Sequence, residues 1–323
     1  MAAGEIAILS SRRRIMVTGS NGFVGRHLIK TLEQSLQPGD VIVRAGREPT
    51  CDMALDLTDA KSVTAAVAAA APDIVFHLAG EASVAQAANA AAATWQVNFV
   101  GTMALAVALG EVNPNATLLF TSSAEVYGRA FPDGVVDELA RPAPLSVYAQ
   151  AKLATEQMLA AVLPSSATLI VVRPSNHVGP GQDERFVLPS LARQLALAER
   201  TGETARIRVG NLSSERDFMD VRDVVTAYAA LVRHYMGTGI REVFNISSQE
   251  TRKISSLLDI LLENARVPSE VIVDPGRVRS SEVPVAAIQS ARLREVIGWN
   301  PTFAIEQSVR DVLDEARTVL VIS

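Results

Sequence analysis

Short apolar runs at 15–17, 41–43, 73–79, 118–121 and 169–173 alternate with helix-like stretches through the first half of the chain. Turn residues separate them: Gly39-Asp40 before the second run, Pro72 before the third, Asn113-Pro114-Asn115 before the fourth and Pro164 before the fifth. The stretches 26–36, 98–112 and 147–163 read as helices, as does an alanine-rich stretch ahead of Pro72. Wholly apolar strands separated by helices predict a parallel sheet covered on both faces, with right-handed crossovers. After Pro174 the texture changes, and 176–182 is rich in glycine, proline and polar groups. Helices are predicted at 189–199, 221–235, 254–265, 290–297 and 305–319, with strands at 207–209, 243–246 and 271–273. The segment 221–247 repeats the helix-then-strand form of the first half, so it reads as a return to the first sheet. The expected fold class is α/β: a doubly wound parallel sheet built from 1–175 and 221–247, with a smaller interleaved α/β domain from 176–220 and 248–323.

Composition supports this. Of 323 residues, 48% are apolar and only 5% aromatic, so the core should be aliphatic and large enough to need no covalent staples. The net charge of −5 argues against a general nucleic-acid binder, while leaving room for a local cationic pocket for a phosphorylated small molecule. The single cysteine, Cys51, allows no internal disulfide and fits a reducing compartment. The alanine-rich segment 65–93 is broken by Asp73, His77 and Glu81, and residues 1–11 lack a basic region followed by an apolar block. A cytoplasmic protein with no membrane partner is expected. No set of metal ligands stands out.

Ligands of open α/β sheets bind beyond the carboxyl ends of the strands. The first run leads into Gly19-x-x-Gly22-x-x-Gly25 and then a helix. Such a turn presents unpaired helix N–H groups to an anion, and its glycines let the backbone approach a pyrophosphate. The second run ends in Arg44-Ala45-Gly46-Arg47, with no acid to bind ribose hydroxyls. Arg47 therefore suits the extra phosphate of NADP(H), which is preferred, with NAD(H) possible. Asp56, followed by Leu57, either touches the adenine amine or caps the next helix.

Beyond the fourth run lie Ser122, Ser123 and Glu125, followed by Tyr148-x-x-x-Lys152. Residues four apart share a helix face. A phenol of pKa about 10 is a poor proton shuttle at neutral pH, and a neighbouring ammonium is expected to lower it. Tyr148 can then exchange a proton with a forming alkoxide, while Ser123 hydrogen-bonds the same oxygen.

Gly19-x-x-Gly22-x-x-Gly25, His77-Leu78-Ala79, Asn98-Phe99-Val100-Gly101, Ser122-Ser123, Tyr148-x-x-x-Lys152 and Arg173-Pro174 stand in the order of the extended short-chain dehydrogenase/reductase landmarks. The chain resembles that Rossmann-fold family of nucleotide-sugar epimerases, dehydratases and reductases along nearly its whole length. The resemblance implies Gly22, Phe23 and Val24 against the pyrophosphate and Leu78 and Ala79 beside the cofactor, with Ala79 near the nicotinamide-side ribose. It also implies Lys152 on that ribose, and a structural or proton-relay part for Asn98.

The second half resembles GDP-sugar enzymes of the family, through 173–182, Arg185-Phe186-Val187, Val209-Gly210-Asn211-Leu212, 216–224 and 279–284. A nucleoside diphosphate needs cations and amide donors; Asn176, Arg216 and Arg279 are the candidates, and Glu282 is implied for guanine by resemblance. Arg216 has an alternative in an ion pair with Asp217 or Asp220, and His177 in a loop contact to backbone. Asp220 and Asp223 read as helix-start residues. The resemblance implies reduction of the C4 ketone of GDP-4-keto-6-deoxy-D-mannose, with Ser123 and Glu125 touching the sugar. The rival is dehydration of GDP-mannose with Glu125 as base; Ala124 lacks the second acid of some family dehydratases. A non-catalytic nucleotide sensor is a remote alternative, because Tyr148 and Lys152 are both present. The resemblance also implies a homodimer, for which Leu105, Leu109, Leu153, Met158 and Leu159 either supply contacts or face the sheet.

Overall fold

The computed structural model describes residues 12–277 and 283–322. Strands β1 (Arg14–Thr18), β2 (Val41–Gly46), β3 (Met53–Ala54), β4 (Ile74–His77), β5 (Thr117–Thr121) and β6 (Thr168–Pro174) are joined by helices α1 (Phe23–Glu33), α2 (Ala60–Ala70), α3 (Val84–Asn89), α4 (Ala91–Trp95), α5 (Thr102–Val112) and α6 (Val147–Val162). Then come β7 (Asn176–Val178), α7 (Val187–Thr201), β8 (Ala205–Val209), β9 (Glu215–Asp220), α8 (Val221–Tyr235), β10 (Arg241–Ile246), β11 (Thr251–Lys253), α9 (Ile254–Glu263), β12 (Ser269–Val273), β13 (Val285–Ala286), α10 (Ala291–Ile297) and α11 (Ile305–Ile322).

Seven strands form one parallel sheet in the order β10-β6-β5-β4-β1-β2-β3. The strand order reverses between β1 and β4, which opens a crevice at their carboxyl ends. One face is covered by α1, α8 and α10 through Leu28, Leu32, Val224, Leu231 and Leu293. The other is covered by α2, α5 and α6 through Val67, Leu105, Leu109 and Leu159. This doubly wound arrangement follows from strands whose residues are buried on both sides, as in β6. A second aliphatic core joins α7, α9 and α11 to β8. Strands β11, β9, β13 and β7 make a small mixed sheet beside it.

Leu105, Leu109, Met158 and Leu159 lie in the aliphatic layer against the sheet, because their i, i+4 spacing follows the inward stripe. The exposed large apolar residues on α5, α6 and the turn before α5 are instead Val100, Met103, Val107, Val112 and Val162. The helix expected over 98–112 is divided: a π-helical turn, Gln96–Gly101, precedes α5. Gly101 permits the helix to meet the β3–α2 loop, since a Cβ there would lie 2.4 Å from the Leu57 carbonyl oxygen. By length and composition, the run Ala91–Val112 is apolar enough to span a bilayer. Its Leu105, Ala106, Ala108 and Leu109 are packed into the protein core.

Candidate active site

The turn after β1 is shaped by backbone. Gly19 has φ +68°, donates its N–H to the Ala45 carbonyl at 3.0 Å, and accepts the Gly22 N–H at 3.0 Å. A Cβ on Gly25 would stand 2.2 Å from the Gly19 oxygen, so only glycine lets α1 pack this closely. Gly22 starts α1 with no side-chain cap, and the first turn carries no acid. The helix end therefore offers donors and positive potential without a competing carboxylate, which fits the pyrophosphate of a dinucleotide. Val24 packs on the core. Phe23 stacks on His177 with centroids 6.0 Å apart, and His177 Nδ1 faces the Ser175 carbonyl at 3.1 Å.

The tip of β4 is locked to this turn. Ala79 N–H donates to Thr18 Oγ1 at 3.2 Å, and Thr18 Oγ1 stands 2.8 Å from His77 Nδ1. His77 Nε2 is 2.8 Å from Thr102 Oγ1. When Thr18 donates its hydroxyl hydrogen bond to Nδ1, the neutral ring carries its hydrogen on Nε2 and donates to Thr102. Burial pushes the His77 pKa down to about 3, so the ring is neutral. Leu78 packs against the α1 side of the sheet and Ala79 against the other.

Beyond β2, Arg47 is exposed and Arg44 pairs with Glu33 at 3.1 Å. Asp56 Oδ1 accepts the Thr58 N–H at 2.9 Å and the Thr58 hydroxyl at 2.7 Å, which holds its carboxyl below the usual range. Asp56 thus closes a turn, whereas Asp59 caps α2. The Leu57 side chain is buried in the core.

Past the switch point, Tyr148 and Lys152 rise from the first turns of α6. Lys152 Nζ donates to the Thr121 carbonyl at 2.7 Å and lies 5.0 Å from the Phe120 ring centroid and 5.9 Å from that of Tyr148. Burial pushes Lys152 down to about 8 against the pull of Glu156. Tyr148 moves opposite to expectation. Burial drives it up to about 12, a hydrogen bond from Ser123 offsets part of this, and the charges of Glu125 and Glu81 add to the rise. Desolvation of a phenolate dominates, so the phenol is protonated at neutral pH. Ser123 Oγ also accepts the Glu125 N–H at 3.2 Å, which fixes the hydroxyl at the strand end.

Behind these groups, Arg173 pairs with Glu156 through two nitrogens, and Ser122 donates to the same carboxylate. Arg173 also reaches the Tyr127 hydroxyl at 3.0 Å, which donates to Asn245 at 2.7 Å. This satisfied buried network fixes the ends of β5 and β6 to α6.

Beside Ser123 opens a small cleft, lined among others by Glu125, Ser175, Asn176, Arg216 and Ile288. Arg216 is anchored by donation to the Glu215 carbonyl at 2.8 Å and the Pro284 carbonyl at 3.3 Å. Asp217 is occupied by Ser175, Ser247, Ser248 and the Gln249 N–H. Asp220 caps α8 and pairs with Arg222 at 2.7 Å. Asp223 reaches across to accept the Thr302 and Phe303 N–H groups, both at 3.0 Å. Arg279 and Glu282 lie outside the described residues. Two features escaped the sequence reading. The charged Glu215-Arg216-Asp217 hides β9 from an apolar-run criterion. Glu81 stands two residues beyond Ala79, and its signal was an acid just past the end of an apolar strand.

Comparison with known proteins gives a consistent picture. The profile of the NAD dependent epimerase/dehydratase family matches residues 15–247. A GDP-6-deoxy-D-mannose reductase of Pseudomonas aeruginosa is 35% identical over 305 residues, spanning 94% of this chain and 97% of its own length. A GDP-6-deoxy-D-talose 4-dehydrogenase of Aggregatibacter actinomycetemcomitans is 27% identical over 94% of this chain and 96% of its own. The solved structure of RMD from Pseudomonas aeruginosa complexed with NADPH superposes with a TM-score of 0.81 at 34% identity, covering 95% of this chain and 98% of that one.

Proposed function

The chain belongs to the NAD dependent epimerase/dehydratase family, and on that premise we propose that it reduces the C4 ketone of GDP-4-keto-6-deoxy-D-mannose to GDP-D-rhamnose, with NADP(H) preferred over NAD(H). The observation that carries this reading is Tyr148, set past the switch point beside Ser123 and with Lys152 Nζ 5.9 Å from its ring centroid. Bound NADPH supplies the hydride. Ser123 donates a hydrogen bond to the ketone oxygen, and Tyr148 delivers its proton as that oxygen gains charge. Lys152 contributes positive charge beneath the phenolate that results. Asn176 and Arg216 line the cleft that would receive the diphosphate and sugar. Arg279 and Glu282 retain their proposed roles toward diphosphate and guanine. Arg47, exposed beyond β2, supports the NADP(H) preference.

Dehydration of GDP-mannose is the second reading, favoured by Glu125 in the same cleft as Ser123. One assay separates them. Purified protein should oxidise NADPH when given the 4-keto sugar and leave GDP-mannose unchanged. Conversion of GDP-mannose without net use of cofactor would instead establish the dehydratase. The exposed stripe Val100, Met103 and Val107 supports a homodimer; sedimentation at the mass of a single chain would overturn that assignment.

A further inference from the structure

Asp217 is buried where the small mixed sheet meets the main sheet, and its carboxylate collects donors from the ends of two main-sheet strands. Oδ1 accepts the Ser175 hydroxyl at 3.0 Å, the Ser248 N–H at 3.2 Å and the Ser248 hydroxyl at 3.0 Å. Oδ2 accepts the Gln249 N–H at 2.8 Å. The Ser247 hydroxyl stands between Oδ2, at 2.8 Å, and the Ile288 carbonyl oxygen, at 2.7 Å. Ser175 directly follows β6, and 247–249 directly follow β10. Gln249 takes φ +70°, a left-handed conformation uncommon outside glycine, and this turns its N–H onto the carboxylate beside that of Ser248. Consecutive N–H groups that converge on one point form an anion-binding nest. Here the anion is the protein's own side chain. The turn is also braced from behind by the start of α10: the Ser247 carbonyl accepts the Ser290 hydroxyl at 2.9 Å, and the Ser248 carbonyl accepts Arg294 Nη2 at 3.2 Å.

The same groups carry the walls of the cleft. Arg216 precedes Asp217 on β9, Asn176 follows Ser175, and Ile288 is reached through Ser247; all three line the cleft, as does Asp217 itself. Among the described residues, β9 pairs with β7, β11 and β13 and with no strand of the main sheet. Its backbone ladder therefore leaves its seat against the ends of β6 and β10 to side chains, and Asp217 is the side chain that reaches both. Only an ionised carboxylate, which accepts on both oxygens and donates on neither, satisfies all of these donors at once. We infer that Asp217 is a positioning residue: seated in the nest after β10, it fixes Arg216 and Asn176 against Ile288 and so preshapes the cleft for a nucleoside diphosphate. This rests on the proposed GDP-sugar reading of the cleft.

The test is titration calorimetry of GDP and of NADPH against Asp217→Asn. Whichever oxygen the carboxamide replaces, its NH₂ group faces donors, so the seat cannot close. GDP affinity should fall about threefold to thirtyfold while NADPH affinity holds, and in turnover KM for the sugar nucleotide should rise with kcat little changed. Leu313→Ala separates positioning from mere loss of stability. It opens the core that α11 shares with α7 and α9, away from the nest, and should lower Tm without weakening GDP. Unchanged GDP affinity in Asp217→Asn overturns the inference, as does an equal loss in Asp217→Asn and Leu313→Ala. If Asp217→Asn does not fold, Ser247→Ala and Ser248→Ala decide. Each removes one donor hydroxyl from a residue outside the cleft lining and should weaken GDP about twofold to fivefold; wild-type affinity in both overturns the inference. Wild-type protein keeps the two claims apart. Failure to bind GDP removes the reading of the cleft and the role of Asp217 with it, whereas binding that Asp217→Asn leaves unaltered removes only the role of Asp217.

Discussion

The cradle at Gly19, Gly22 and Gly25 takes its shape from a single turn, whereas the cleft beside it gathers Ser123, Asn176, Arg216 and Ile288 from four separate elements. In the cradle the decisive groups are backbone atoms, and the side chains matter chiefly by being absent. In the cleft the side chains themselves form the surface, carried on β7, β9 and the turns after β5 and β13. A backbone cradle recognises the pyrophosphate common to many dinucleotides. A cleft of convergent side chains can be altered one residue at a time, and on the proposed function it is expected to set which sugar nucleotide is accepted. Tyr148 and Lys152 stand where the two regions meet.

That contrast can be tested by perturbing each region and reading both ligands. The largest effect is expected at the junction. Tyr148→Phe should lower kcat by about 10²–10⁴-fold, the usual contribution of a general acid, with binding of NADPH and of GDP-sugar both preserved. Gly25→Ala forces a methyl against the Gly19 oxygen at 2.2 Å. It should destabilise the fold by about 1–3 kcal/mol and weaken NADPH binding in titration calorimetry, leaving GDP binding intact. Arg216→Gln should do the converse, weakening GDP by about tenfold to a hundredfold, the worth of a charge-assisted hydrogen bond, while NADPH binding holds. Arg47→Ala should reduce the preference for NADPH over NADH by about tenfold, read as the ratio of kcat/KM values. The smallest effect lies away from both regions. Arg13 binds Asp40 ahead of β1 and holds its carboxyl down at about 2. Because this native pKa is depressed, the pair contributes stability above about pH 4 that is lost as the pH falls through about 2. Asp40→Asn should cost about 1–2 kcal/mol near neutrality in denaturant titrations. That difference should vanish in acid, and neither ligand affinity should change.

The same contrast decides what was legible in the sequence. The main sheet was legible because its strands are buried on both faces, and the 221–235 helix has the predicted bounds. The glycine turn was legible because its constraint is local. Strand β9 was hidden, since a strand lining a polar cleft carries Glu215, Arg216 and Asp217 in place of an apolar run. Tyr148-x-x-x-Lys152 correctly placed the pair on one helix, but not the direction in which the phenol shifts. That direction depends on burial and on Glu81 and Glu125, which arrive from other strands. The apolar residues of α5 and α6 show the same limit. Spacing identifies a stripe, and only packing tells that Leu105 and Leu159 face the sheet while Met103 and Val107 do not.

The most direct measurement follows the hydride itself. NADPH deuterated at the transferred position should be incubated with GDP-4-keto-6-deoxy-D-mannose and the product examined by NMR. One deuterium is expected at C4 of GDP-D-rhamnose, with oxidised cofactor formed in equal amount. Absence of label from the sugar, together with release of the 4-keto sugar from GDP-mannose, would contradict it.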